Sequence, residues 1–177
     1  GVTGVQTCAL RSAEDAVQIQ QRYPRWEIVR YMVASVPWPY PENGAENYVN
    51  NVALPDMAKG IAWFWTIRRR EAPDELMGLI CLYDVEDNNR GFWLAPEFRG
   101  QGYMREASIA ATDYWFNTLN KPVLRAPKAA ANSRSRRISD SSGMRLIRTE
   151  KKAYVSGLLD SELWEIPRDE WNARQVN

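Results

Sequence analysis

Between Arg90 and Leu119 the chain passes from a short apolar run, Phe92-Trp93-Leu94, through Pro96 into Arg99-Gly100-Gln101-Gly102, and then directly into a helical repeat that begins at Tyr103. Two glycines one residue apart let the backbone reverse sharply between a strand and a helix, and they leave the first N–H groups of the helix unobstructed. Those donors, with the positive end of the helix dipole, form an anion site suited to a pyrophosphate. A strand–turn–helix unit of this kind points to an α/β architecture. The nucleoside-triphosphate version of such a loop ends in Gly-Lys-Ser/Thr, which is missing here. The dinucleotide version needs a third small residue three positions after Gly102, where Arg105 stands. A bare Gly-x-Gly turn is equally compatible with an ordinary strand–helix junction.

The rest of the pattern supplies the other elements. Ser12 followed by Asp15 has the form of a capping box for a helix reaching about Tyr23. Pro24 permits a short second turn over 25–32, and Trp38-Pro39-Tyr40-Pro41 is a stiff loop. Ala45, Tyr48, Val49 and Val52 mark one apolar helical face. Strands are expected over 61–68, 76–83 and 90–94, and a helix over 103–119 with Met104, Ala107, Ala111 and Trp115 inward. A strand over 123–128 follows Lys121-Pro122. Asn132 caps a helix that ends at Gly143, 145–154 and 162–166 form a hairpin-like pair, and a helical turn after Pro167 closes the chain.

Composition excludes several chemistries. There is no histidine, which removes Ser-His-Asp and Cys-His catalysis and argues against a transition-metal site. A general base must be a carboxylate, a tyrosine, a lysine or water. Two cysteines, Cys8 and Cys81, cannot build a disulfide framework, so a reduced cytoplasmic setting is the default. No apolar run is long enough to span a membrane. The net charge of +1 hides an asymmetry: ten Lys/Arg face two acids between Lys121 and Lys152, which leaves the remainder at −7. A local basic block fits a phosphorylated ligand better than a nucleic-acid track, which makes a whole domain basic. Hydrophobic content of 45% in 177 residues supports one domain with a full core, over 12–177. Residues 1–11 stand apart. Val2 to Leu10 resembles the translation of a sequencing adapter, which implies a metagenomic sequence with a chimeric start, although the segment alternates well enough to act as a first strand.

Taken together, Gly91-Phe92-Trp93-Leu94-x-Pro96, Arg99-Gly100-Gln101-Gly102-Tyr103-x-x-Glu106-Ala107, Asn132-x-x-Ser135 and Gly143-Met144 resemble the signature of GCN5-related N-acetyltransferases (GNAT), in particular the RimJ/RimL branch. Trp38-Pro39-Tyr40 is similar to the loop before that family's second helix. The resemblance implies an α/β fold with a mixed, mostly antiparallel central sheet of about six or seven strands, about four flanking helices, and a splayed strand pair that takes acetyl-CoA. It implies backbone contacts from Leu94 to the pantetheine arm, and a pyrophosphate cradle made by Arg99, Gly100, Gln101, Gly102, Tyr103 and Met104. Asn132 would bond the pantetheine region, Ser135 would act near the sulfur as proton donor, and Arg137, among Arg134, Arg136 and Arg137, would meet the 3′-phosphate. Trp38, Tyr40 and Tyr154 could wall an amine site. No metal is implied, and pairing as a homodimer is. The acyl group would pass to the amine by direct attack.

The base stays open: where some relatives carry glutamate this chain has Ala153, and Glu97, Asp84 and Glu86 are the nearby acids. The acceptor would be a peptide or protein N-terminus, or a small amine such as an antibiotic or polyamine; a non-catalytic CoA-binding or RNA-associated module is the remaining alternative. The acidic residues outside the basic block favour a cationic acceptor.

Overall fold

The computed structural model describes residues 4–11 and 13–175. Ser12, the expected helix cap, lies outside the described residues. Its partner in the expected box, Asp15, accepts the Arg11 N–H at 2.7 Å. Asp15 also takes the buried Arg68 guanidinium at 2.7 Å, which ties the first helix to the sheet.

Seven strands form two antiparallel sheets. The first has the order β1-β2-β3-β4, from β1 (Val5–Ala9), β2 (Ala62–Arg69), β3 (Ala72–Tyr83) and β4 (Arg90–Leu94). The second has the order β5-β7-β6, from β5 (Val123–Ala129), β6 (Arg145–Tyr154) and β7 (Gly157–Pro167). Residues 5–9 do serve as the first strand, paired from Val5↔Arg69 to Ala9↔Trp65. Strand β7 begins five residues earlier than the sequence suggests, because Gly157 to Ser161 continue the hairpin ladder without an apolar alternation.

Helices α1 (Ala13–Arg22), α3 (Gly44–Tyr48) and α4 (Leu54–Ala58) cover one side of the first sheet, and a widened turn over Val49–Ala53 joins the last two, while α2 (Trp26–Val29) ends at its C-cap Arg30, whose carbonyl accepts from Ser156 of the β6–β7 turn. That turn changes which residues face inward. Ala45, Val49 and Ala53 are buried, whereas Tyr48 and Val52, expected on the same face, are exposed. A wide turn holds more than 3.6 residues, so the buried stripe advances by four positions each time. Helix α5 (Tyr103–Asp113) packs on the opposite side with α7 (Arg168–Gln175), and α6 (Ser133–Ser141) follows β5. Central strand β3 feeds both cores: Leu79 and Cys81 join the α1–α4 side, and Ile80 and Leu82 the α5 side.

The two sheets share a core, and backbone groups of the β4 and β5 regions join at the start of that pair. There the Asn89 N–H donates to the Arg125 carbonyl at 2.8 Å, and the Arg125 N–H donates to Asn89 Oδ1 at 2.8 Å. Beyond this point the strands separate. The ladder between β5 and β7 directs Ala126 and Lys128 toward β7, so the next β5 residue facing β4 after Arg125 is Pro127. Proline has no N–H to extend the pairing, and the gap opens where the donor is missing.

Candidate active site

The gap between β4 and β5 is the root of a cleft of about 1240 Å³ that crosses the molecule from the start of α5 to the α1–α3 side. One wall is the free side of β4. Bonds from Tyr83 N to Asn89 O and from Ala95 N to Met77 O fix the alternation of the β3–β4 ladder, so Gly91 and Trp93 bond to β3. The N–H and C=O groups of Phe92 and Leu94 therefore face the gap. Gly78 makes this placement possible: a Cβ there would lie 2.1 Å from the Trp93 carbonyl oxygen. The Leu94 carbonyl already accepts from Arg99 Nε at 3.3 Å, which leaves its N–H for a ligand.

At the end of β4 the loop turns as the glycine spacing suggests. Gly100 and Gly102 have φ of +80° and +85°, with nothing within 4 Å of either would-be Cβ, so backbone conformation rather than space selects glycine. Gly102 is the N-cap of α5, and no side chain caps this helix. Gly100, Gly102, Tyr103 and Met104 border the cleft. Gln101 does not; it lies exposed on the outer side of the loop. The Arg99 side chain is a latch, since besides Leu94 it reaches the Glu27 carbonyl of α2 at 3.3 Å. Burial, with Arg134 and Arg30 nearby, pushes its pKa down.

Facing this loop, Asn132 caps α6 by accepting the Ser135 N–H on Oδ1 at 3.3 Å. Ser135 is only 8% exposed and borders the cleft, so its hydroxyl belongs to the site and not to a solvated helix face. Of the three arginines on α6, Arg136 is committed to Glu162 at 2.9 Å, while Arg134 and Arg137 border the cleft with no carboxylate partner among the described residues.

On the α1–α3 side the cleft becomes aromatic. Tyr23 and Trp93 pack at 5.2 Å with their rings tilted by 54°, and Tyr40 meets Tyr23 edge-on at 5.3 Å. Tyr83 lies beside Tyr48 and Cys81. Burial raises the pKa of Tyr23 and Tyr83 and pushes the Cys81 thiol up to about 12, so these groups stay protonated. Tyr154 also lines the cleft, its hydroxyl 2.7 Å from Ser161 Oγ. Trp38 does not: it is 42% exposed and packs on Trp26 at 5.8 Å, away from the cleft lining.

The acids named from sequence are not in the cleft. Glu97 is held by Arg25 and Arg22, and these hydrogen bonds, Arg25 first, lower its pKa. Asp84 pairs with Lys121 at 3.2 Å, and Glu86 is exposed. Ala153 does border the cleft. Glu27 is the one carboxylate in the lining among the described residues, and no motif in the chain marks it.

Comparison with known proteins agrees with this geometry. The family model for the acetyltransferase (GNAT) domain matches residues 9–145. The chain is 28% identical to the candidate ribosomal N-acetyltransferase YdaF of Bacillus subtilis (strain 168), over 94% of this chain and 90% of that protein. Among solved structures, the ribosomal-protein-S5-alanine acetyltransferase from Vibrio fischeri superposes with a TM-score of 0.80 at 17% identity, covering 97% of both chains. RimL, the ribosomal L7/L12 alpha-N-protein acetyltransferase solved with coenzyme A, gives 0.75 at 17% identity, covering 94% of this chain and 95% of that one. Spermidine N-acetyltransferase from Vibrio cholerae, solved with CoA and spermine, gives 0.78 at 16%, covering 96% and 98%.

Proposed function

This chain belongs to the GNAT acetyltransferase family and is an acetyl-CoA-dependent N-acetyltransferase, and on that premise we propose that its acceptor is the N-terminal amine of a peptide or protein. The lining of the acceptor side carries the reading. Tyrosines 23, 40, 48 and 83, with Trp93, surround that space, and the whole cleft lining holds one carboxylate among the described residues, Glu27, whose backbone carbonyl meets Arg99. A polyamine brings several ammonium groups, and each needs a counter-charge when it leaves water. A peptide N-terminus brings one ammonium, carbonyls for the tyrosine hydroxyls, and a first side chain for the aromatic wall.

The chain's residues divide the remaining work. Gly100, Gly102, Tyr103 and Met104, at the uncapped start of α5, hold the pyrophosphate, and Arg137, with Arg134 nearby on α6, meets the 3′-phosphate. The gap-facing backbone of Phe92 and Leu94 pairs with the pantetheine amides as an added strand would. The Leu94 N–H lies where it can polarise the thioester carbonyl, and the Ser135 hydroxyl hydrogen-bonds the leaving sulfur. The amine attacks the thioester directly.

A thiol-release assay with acetyl-CoA against peptides of varied first residue and against spermidine tests the acceptor. Turnover is expected on peptides, with spermidine slower by at least about tenfold in kcat/KM. Preference for spermidine would overturn the proposal.

A further inference from the structure

Strand β5 carries Leu124, Ala126 and Lys128 on one face. The first two lie in the core against α5 and β7. Lys128 continues the apolar row, is 5% exposed, and borders the cleft with Ser135 and Arg90. Its ammonium makes no hydrogen bond or ion pair among the described residues. The nearest acid by register is Glu162, opposite it on β7, but Glu162 Oε1 is occupied by Arg136 Nε at 2.9 Å and Trp164 Nε1 at 3.1 Å. From β4 the facing group is a second cation: Arg90 is 3% exposed and held by Thr112 Oγ1 of α5 at 3.0 Å and by Met144 Sδ at 3.5 Å. Among the described residues no carboxylate forms an ion pair with either cation.

We propose that Lys128 is the proton carrier of the transfer, taking a proton from the acceptor nitrogen and delivering it to the departing thiolate. The assignment rests on the reading that the thioester lies between β4 and β5. Burial, reinforced by Arg90 and opposed by Glu162, drives the lysine pKa well below its ordinary value and so favours the neutral amine, the form able to accept a proton. As the acceptor nitrogen bonds to the carbonyl carbon it becomes cationic and passes one proton to Lys128 Nζ. The C–S bond then breaks, the electron pair stays on sulfur, and the thiolate takes that proton from Nζ. The products are the amide and the free thiol, and Lys128 is neutral again. Ser135 can hydrogen-bond the sulfur, but an alcohol is too weak an acid to protonate a thiolate unaided. The chain has no histidine, and the one carboxylate beside this row, Glu162, holds Arg136 and Trp164 on its Oε1, so Lys128 fills the role left open by Ala153.

The test compares wild type with K128M and K128R, using the peptide that turns over best. Methionine keeps the length without the amine, and arginine keeps a cation that does not release its proton. Both variants are expected to bind acetyl-CoA as wild type does by calorimetry and to lose about 100-fold or more in kcat. In wild type kcat rises with pH as Lys128 deprotonates, and K128M lacks that rise. Thermal melting checks the burial. Folded Lys128 binds fewer protons than unfolded Lys128, so wild-type stability rises with pH up to the ordinary lysine range, and an advantage of K128M at neutral pH closes there. Wild-type kcat in K128M, full activity in K128R, or K128M melting lower at every pH would each overturn the assignment. Failure of wild type to bind acetyl-CoA would remove the underlying functional reading instead.

Discussion

The two ends of the cleft are built in opposite ways. The α5 end is made from backbone, with two glycines at positive φ, an uncapped helix start, and the free edge of β4. The aromatic end is made from side chains on α1, α3, the 37–41 loop, β3 and β4, brought together only by the fold. One glycine from each end shows the contrast. Gly102 has open space around its missing Cβ but a φ of +85°, whereas a Cβ on Gly44 would lie 2.5 Å from the Tyr40 ring. The first glycine shapes the chain and the second makes room for a neighbour. A ligand shared by a whole family can be held by backbone, which tolerates sequence change; an acceptor particular to one enzyme needs side chains.

Gly102→Ala gives the larger expected effect. A left-handed conformation costs an alanine about 1 kcal/mol, and relaxing it rotates the N–H groups that start α5. Acetyl-CoA affinity should fall about tenfold by calorimetry while acceptor KM stays unchanged. Equal losses in both constants would show that the two ends are not separable. Gly44→Ala is the mirror experiment, with a smaller effect. Its methyl displaces the Tyr40 ring at an overpacking cost of about 1 kcal/mol, so peptide KM should rise about three- to fivefold with acetyl-CoA binding intact. An unchanged peptide KM would remove Tyr40 from the acceptor wall.

The same contrast explains what could be read from the chain before it folded. The strand, the glycine loop, α5 and the Asn132 cap are contiguous or nearly so, and each carries a local chemical reason for its residue types. Tyr23, Tyr48 and Tyr83 carry no such reason, because any one of them reads as a core aromatic. Trp38 misled for the complementary reason: its proline neighbours marked a stiff loop, but not the direction of its ring. Val52 was placed inward by a 3.6-residue repeat that the widened turn over 49–53 breaks. Lys128 was legible in principle, since a period of two from Leu124 and Ala126 puts a cation in a buried row. The length of β7 was not, because Gly157 to Ser161 extend the ladder without an apolar alternation to mark it.

The arginines of α6 give the smallest and most discriminating expected effect. Arg136 and Arg137 are adjacent, exposed and chemically identical, so sequence cannot rank them as phosphate ligands. The fold can: Arg136 spends its Nε on Glu162, while Arg137 borders the cleft without a carboxylate partner among the described residues. Arg137→Ala should weaken acetyl-CoA binding about threefold at low ionic strength and hardly at all in high salt, because an exposed charge acts through a screened field. Arg136→Ala should leave that affinity unchanged and instead lower the melting temperature, since Glu162 loses a partner inside the hairpin sheet. If Arg136→Ala weakens binding and Arg137→Ala does not, the cofactor's 3′-phosphate approaches from the β7 side, and the backbone end of the cleft must be extended to include Glu162 and its partners.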